Sequence, residues 1–128
     1  MRIFKTRWFT RFARGEQITD GSLSRAVMRA GQGLIDADLG GGVIKQRVAR
    51  PGRGRSGGYR VLIAYRATHR AVFLYGFAKR ERENIEPDEL VTLREIAAQW
   101  LAADTKRLAQ AVNEGVLQEV SNDEKEET

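Results

Sequence analysis

A long run of basic side chains without acidic neighbours is the part of this sequence best suited to chemistry. From Leu39 to Arg80 the chain carries ten Lys or Arg residues, one His and no Asp or Glu. These ten are Lys45, Arg47, Arg50, Arg53, Arg55, Arg60, Arg66, Arg70, Lys79 and Arg80. Cations at alternate positions of a strand point in one direction and can meet particular phosphate oxygens, whereas a disordered basic arm attracts phosphate without geometry. The run therefore predicts a surface that binds a polyanion, because ten uncompensated cations would otherwise repel one another.

Most of these cations lie on three predicted strands. Residues 43–50, 59–67 and 70–78 are rich in aliphatic, aromatic and β-branched side chains, and Thr68 and His69 form the turn between the second and third strands. The segment from Arg50 to Gly58 contains one Pro and four Gly residues, which predicts a mobile loop.

The predicted strands bring several cations to one place. Lys45 and Arg47 are two residues apart and share a face of their strand, and Arg60 joins them if the register brings it across. Lys79 and Arg80 follow the third strand, whose end lies beside the start of the second in an antiparallel arrangement. A basic pocket at one end of the sheet is the expected result.

Helices and short strands are predicted on both sides of the basic run. Residues 2–6 form a strand, and the spacing of three aromatic residues then indicates a short helix whose aromatic face is core rather than a base-stacking platform. These aromatic residues are Trp8, Phe9 and Phe12. A second helix begins at a cap formed by Asp20 or Ser22 and extends to about Gly31.

The C-terminal third is predicted to be helical. One helix begins at Pro87 and extends to about Ala102, and another follows an Asp104 cap and ends at Gly115. Residues 116–120 form either a short added strand or an ordered tail. The acidic segment from Ser121 to Thr128 is expected to be disordered.

Composition limits the classes of protein. A chain of 128 residues predicts one domain, and the absence of Cys together with a single His excludes disulfides, thiolate chemistry and a zinc site. No apolar stretch is long enough for a signal peptide or a membrane span, so the cytoplasm is the expected compartment. Basic and acidic residues number 7 and 4 over residues 1–38, and 5 and 13 over residues 81–128. The cationic middle therefore favours a nucleic acid or another acidic partner.

Two segments resemble a known family. The stretch from Ser56 to Tyr65, with its Gly-Tyr-Arg motif, and the stretch from Leu74 to Ile85, with Lys-Arg-Glu-Arg, are similar to the C-terminal half of RelE-type toxins, in particular the RelE/HigB-like branch of the RelE/ParE superfamily. The resemblance covers roughly Val43 to Leu101. It implies an α+β fold in which N-terminal helices pack on a twisted, mainly antiparallel sheet of about four strands, followed by C-terminal helices. Residues 1–120 would form one toxin domain, and residues 121–128 a disordered acidic tail.

The resemblance also implies a function. Toxins of this kind belong to type II toxin-antitoxin modules and act as ribosome-dependent endoribonucleases, which cut messenger RNA in the A site and so inhibit translation. The expected partners are messenger RNA, the ribosome and a cognate antitoxin with a helix-turn-helix DNA-binding domain. Neither a metal nor another cofactor is expected, and no membrane is involved.

Matched residue by residue, the resemblance assigns a catalytic set of Lys45, Arg47, Arg60 and Arg80. The three arginines would hold the phosphorane oxygens, and Lys45, with its pKa lowered by neighbouring guanidinium groups, would act as the base. RelE has a tyrosine after its last motif where this chain has Ile85, Glu86 and Pro87. Either Tyr75 or Tyr65 replaces it in space, or no tyrosine participates. Further RNA-binding candidates are Arg50, Arg53, Arg55, Lys79 and Tyr75.

Three other functions remain open at this point. A ParE-like gyrase inhibitor has the same scaffold but lacks the basic catalytic set, so Lys45, Arg47, Arg60 and Arg80 argue against it. A non-catalytic nucleic-acid-binding module would use the same residues only to bind phosphate. An interaction protein would dock its basic face on an acidic partner, and a toxin neutralised by its antitoxin would share this property.

Overall fold

The computed structural model describes residues 1–50 and 54–121, and among residues 54–57 it describes the backbone alone. The expectations for Arg53, for the side chain of Arg55 and for the tail 122–128 lie outside the described residues. In chain order the elements are β1 (Arg2–Thr6), α1 (Arg7–Glu16), α2 (Asp20–Gly31), β2 (Ala37–Gly40), β3 (Val43–Arg50), β4 (Gly54–Arg66), β5 (Arg70–Ala78), α3 (Pro87–Ala102), α4 (Thr105–Asn113) and β6 (Leu117–Glu119).

The strands form a single sheet in the order β2-β3-β4-β5-β1-β6, in which only β1 and β5 are parallel. The predicted α+β class with a mainly antiparallel sheet is confirmed, but the described sheet has six strands rather than about four. β6 resolves the alternatives for residues 116–120 in favour of a strand. The missed strand is β2, whose Asp and Gly residues have low β-propensity; its backbone pairs with β3 across a turn of glycines with positive φ.

β4 begins earlier than the sequence indicates. Residues 54–58 belong to the strand, so the prediction of a mobile loop from Arg50 to Gly58 is wrong for these residues. Arg50 pairs with Gly54 after a register shift next to Val48. Ladder hydrogen bonds use backbone groups, and a paired neighbour can therefore extend a strand through Gly and Ser residues that have little propensity of their own.

The helices cover both faces of the sheet. One face packs against α1 and α2, with Phe9, Leu23 and Val61 in its core, and the other packs against α3 and α4, with Leu62 and Trp100 in its core. We call them the α1–α2 face and the α3–α4 face. No helix among the described residues is long and apolar enough to cross a bilayer.

Two local predictions for the N-terminal helices need correction. Phe9 is fully buried, as expected, but Trp8 is 41% exposed and stacks on both Phe12 and Tyr75. β1 ends at Thr6, so Trp8 reaches Tyr75 beyond the end of that strand instead of entering the core. The cap of α2 is Thr19, which accepts from the Ser22 backbone, while Asp20 accepts from the Lys5 ammonium.

Arg70 anchors α3 to the sheet. Its side chain is buried, and its Nη1 donates to the carbonyl oxygens of Trp100 and Ala103, at 2.7 and 2.8 Å, where α3 ends. Burial lowers the pKa of Arg70, and the neighbouring charges of Arg2 and Arg66 act in the same direction. One cation of the basic run is therefore a structural residue and is not available to a polyanion.

The first turn of α3 is fixed by a second arginine. Glu86 and Glu89 form a capping box, and Arg82 donates to the Glu89 carboxylate and lies over the Phe77 ring. The Arg82 hydrogen bond, followed by the bond from the Glu86 backbone, lowers the pKa of Glu89. The segment between β5 and α3 is thus held in place next to the end of the sheet.

We expect Arg70→Met to lower the free energy of unfolding by about 2–3 kcal/mol, because buried carbonyl groups lose a charged donor. Urea denaturation provides the measurement. The matched control is Arg66→Met, which replaces the exposed cross-strand neighbour of Arg70 and should change stability by less than about 0.5 kcal/mol. Equal effects of the two substitutions would contradict the structural role of Arg70.

We expect Glu89→Gln to lower the melting temperature at neutral pH while keeping the capping hydrogen bond. The pKa of Glu89 is lower in the folded chain than its ordinary value of 4.5. The ionised Glu89 carboxylate therefore stabilises the fold fully at pH values above its ordinary pKa. This stabilisation is lost as the pH falls through the lower pKa of the folded chain. Melting curves from pH 7 to pH 3 should show the two proteins converging in acid. Glu95→Gln, an exposed change on the same helix, is the control, and a difference independent of pH would contradict the assignment.

Candidate active site

Three of the predicted catalytic residues meet on the α3–α4 face. On β3, Lys45 and Arg47 alternate with Ile44 and Val48, which belong to the core under α1 and α2. Arg47 pairs directly with Arg60 of β4. The strand register therefore brings Lys45, Arg47 and Arg60 together, as predicted.

A carboxylate that the sequence interpretation did not include lies among these cations. Asp36 Oδ1 is 3.3 Å from Arg47 Nε, and Asp36 Oδ2 is 3.7 Å from Arg60 Nε and 3.9 Å from Lys45 Nζ. We call these four residues the Asp36 cluster. The expectation of uncompensated cations is wrong at this position, because a single anion pairs with all three.

The four side chains of the Asp36 cluster differ in solvent exposure. The Arg60 side chain is 10% exposed, Lys45 18%, Asp36 21% and Arg47 64%. Arg47 thus faces solvent, whereas Arg60 forms the floor. Beside them, a cavity of about 330 Å³ is lined by Arg29, Arg47, Val48, Ala49, Gly58 and Arg60, so the arginines border a space that a small group can enter.

Gln46 places Asp36 in the cluster. The Gln46 side chain is buried on the α1–α2 face, where its amide donates to the carbonyl oxygens of Ala26 and Leu34. Its Oε1 accepts from the Asp36 backbone at 2.9 Å. The connection from α2 to β2 is therefore fixed by a buried amide with both of its ends hydrogen-bonded, and Asp36 is held next to the strand that carries Lys45 and Arg47.

A polar network extends from Lys45 toward β5. Lys45 donates to the Asn84 side chain at 3.4 Å, and Arg82 donates to the Asn84 carbonyl oxygen and to the Tyr75 hydroxyl. Tyr75 pairs across the sheet with Leu62, which pairs with Lys45. Two strand spacings of about 4.8 Å separate Tyr75 from Lys45 on one face of the sheet. Tyr75 is therefore a neighbour of the cluster but is not in contact with it.

Tyr65, the other tyrosine considered, is directed elsewhere. It packs against the core on the α1–α2 face, and its hydroxyl is buried without a hydrogen-bond partner among the described residues. The possibility that Tyr65 replaces the RelE tyrosine is therefore wrong, because strand alternation points it away from Arg60.

Arg80 and Arg50 lie at the same end of the sheet but near a different group. Tyr59 donates to Glu16 of α1 at 2.8 Å, and burial, reinforced by Glu16, raises the pKa of its phenol. Arg50 and Arg80 are close enough to oppose this rise. Within the described part of the chain, no hydrogen bond or ion pair joins Arg80 to the Asp36 cluster. Arg80 is therefore not paired with the Asp36 carboxylate, unlike the other three predicted catalytic residues.

Lys79 is also at this end of the sheet, whereas Arg53 and the side chain of Arg55 lie outside the described residues. Lys79 is exposed in the turn after β5, and its backbone pairs with Gly58. Arg29 of α2, which the sequence interpretation did not select, donates to the Arg47 carbonyl oxygen. Within residues 1–50 and 54–121 there is no group of three or more His, Cys, Asp or Glu side chains that could hold a metal ion.

The sequence contains a signal for the position of Asp36. The three glycines after Leu39 indicate a tight turn into β3, and a turn implies a paired strand on its other side. That strand would place the residues before Ala37 beside the far part of β3, where Lys45 and Arg47 lie. Asp36 lies three positions before Leu39, the first residue of the acid-free run.

The donor set of the cluster suits a phosphate ester. Guanidinium groups match phosphate oxygens in pairs, and an ammonium adds a compact charge. Donors held in place before the reaction can also stabilise negative charge that develops on phosphorus. The geometry therefore accommodates phosphate binding and is compatible with phosphoryl chemistry.

Comparison with known proteins identifies the family. A family model described as the RelE toxin of the RelE / RelB toxin-antitoxin system matches residues 1–120. A search of curated proteins found no significant match. The match includes every described element of the sheet and all four residues of the Asp36 cluster. The chain therefore belongs to the RelE toxin family, whose members are the toxins of toxin-antitoxin systems.

Proposed function

We propose that this toxin is a ribosome-dependent endoribonuclease that cleaves messenger RNA in the A site and thereby inhibits translation. The observation that supports the proposal is the convergence of Lys45, Arg47 and Arg60 on one anion position. These three residues also match basic catalytic positions of the RelE-type toxins that the sequence resembles. The reaction would take place in the cytoplasm, where translation occurs.

The chemistry begins with the scissile phosphodiester bound by Arg47 and Arg60. The 2′-hydroxyl gives its proton to the base as its oxygen attacks phosphorus, the bond to the 5′-oxygen breaks, and that oxygen takes a proton from water. A 2′,3′-cyclic phosphate remains on the upstream fragment and a 5′-hydroxyl on the downstream fragment. The two guanidinium groups stabilise the extra negative charge of the phosphorane. Lys45 is the proposed base for the 2′-hydroxyl, and these cations make the proposed reaction independent of metal.

Arg80 has a different place in this proposal. Among the described residues, Arg80 has no hydrogen bond or ion pair with the Asp36 cluster, and its charge opposes the rise in the pKa of the Tyr59 phenol. In this proposal it binds either the scissile phosphate or an adjacent phosphate. Substitution of Arg80 therefore tests whether this residue takes part in catalysis or only in RNA binding.

The rest of the sheet end would bind the messenger on either side of the cut. The proposed RNA-binding residues are Arg50, Arg53, Arg55, Lys79 and Tyr75. Tyr75 offers an aromatic ring next to the cluster, and the arginines and lysine offer phosphate contacts that should make binding sensitive to salt. A cognate antitoxin, proposed to carry a helix-turn-helix DNA-binding domain, would neutralise the toxin.

The test is induced expression in a bacterial host, with growth and the 5′ ends of messenger RNA as readouts. We expect the wild-type chain to arrest growth and to produce cuts inside translated codons. Arg60→Ala should abolish both, because loss of one preorganised donor reduces such rates by about 10²–10³-fold. Arg80→Ala should reduce cutting less than Arg60→Ala, and Lys45→Ala should reduce it as strongly as Arg60→Ala.

Arg66→Ala is the matched control, since Arg66 lies at the opposite end of the strand that carries Arg60. It should retain full toxicity, and all variants should have melting temperatures near that of the wild type. Arrest without new 5′ ends would indicate gyrase or another target. A uniform loss of RNA binding in every variant, with no cutting by the wild type, would indicate a non-catalytic binding module.

A further inference from the structure

We propose that Asp36 is a resident anion that occupies the phosphate position of the site, orders its cations and limits the affinity of the free toxin for nucleic acid. The inference deepens the proposed function, since it concerns the same three cations. It does not require that the toxin cleave RNA.

The first argument is geometric. Arg47 and Arg60 lie opposite each other on adjacent strands, and Lys45 lies two pairs further along on the same face. All three approach the same carboxylate within 3.9 Å, with Arg47 on one oxygen and the other two on the second. A carboxylate that bridges three cations uses the same donors as the two unesterified oxygens of a phosphodiester. Asp36 is thus positioned as an intramolecular substitute for phosphate.

The second argument is that the fold holds this carboxylate in place. The Asp36 backbone donates to a buried Gln46 side chain, which also binds two carbonyl oxygens near α2. The next residue, Ala37, pairs with Lys45. Asp36 therefore lies on a segment between α2 and β2 that is held by hydrogen bonds to the fold. Its position does not require a long flexible side chain to reach across the surface.

The third argument is electrostatic. Arg60 is almost fully buried, and a buried guanidinium beside a second arginine is costly without an anion. Asp36 supplies that anion when no nucleic acid is bound. A substrate phosphate must then share or displace the carboxylate, so nucleic acid that is not held in place by other contacts competes poorly. This arrangement favours substrate presented by a larger assembly over free RNA.

The proposal predicts that removing the carboxylate creates an anion site. In Asp36→Ala, inorganic phosphate should raise the melting temperature at least twice as much as in the wild type at equal ionic strength, because phosphate binds the folded state. The double variant Asp36→Ala, Arg60→Ala should lose this gain. The matched control is Asp38→Ala, which removes an exposed carboxylate from β2 whose hydrogen bond is to the Gly40 backbone and should respond to phosphate as the wild type does.

A second measurement uses single-stranded DNA, which lacks the 2′-hydroxyl and cannot be cut by the proposed route. Asp36→Ala should bind an oligonucleotide more tightly than the wild type, and the slope of log affinity against log salt should steepen by about 0.7, corresponding to one further phosphate contact. Asp38→Ala should match the wild type in both respects.

Equal phosphate responses of Asp36→Ala and the wild type would overturn the proposal, as would weaker DNA binding by Asp36→Ala with a normal melting temperature. If Asp36→Ala fails to fold, Asp36→Asn replaces it in the DNA measurement, with the same expected direction. Neither readout involves cleavage. A wild-type chain that cuts no RNA would therefore contradict the proposed function without affecting this inference, and the converse also holds.

Discussion

Two arginines opposite each other on adjacent antiparallel strands are a constraint on which much of this structure depends. Directly paired like charges destabilise a sheet, and Arg47 and Arg60 are such a pair near the centre of the site. The chain meets this constraint with Asp36. Asp36 is held in this position by the buried Gln46 side chain and by the pairing of β2 with β3.

The cations of the basic run have different structural roles although they are similar in sequence. Arg70 is buried and binds the end of α3, whereas Lys45, Arg47 and Arg60 share an anion. Arg80 lies near the Tyr59 phenol. A basic run is thus a poor measure of basic surface, because the partner of each cation depends on where it lies on the sheet and on which element packs there. Once Arg70 is assigned to the fold and three others to Asp36, the exposed cations left among the described residues are Lys79 and Arg80 at one end of the sheet and Arg66 at the other.

The fold class and part of the site were predictable because they depend on periodic patterns. Side-chain alternation and the hairpin between residues 59 and 78 sufficed to place Lys45, Arg47 and Arg60 together. The role of Asp36 was not predicted, because it depends on a short strand with weak propensity and on the buried amide of Gln46, whose burial is seen only in the folded structure. Arg70 was assigned to the surface by its type, since only the packing of α3 shows that its charge satisfies carbonyl groups. The exposure of Trp8 likewise depends on where β1 ends.

The position of β1 in the sheet bears on how the toxin is made. The strand closest to the N-terminus lies between β5 and β6, so its two partners are translated more than sixty residues after it. The strands β2 to β5, which carry the Asp36 cluster and its neighbours, are by contrast connected as sequential antiparallel neighbours. Local pairs close at low entropic cost, whereas pairs distant in sequence form slowly. A nascent chain can therefore pair strands β2 to β5 first. The half of the sheet that contains β1 can be completed only after β6 has left the ribosome.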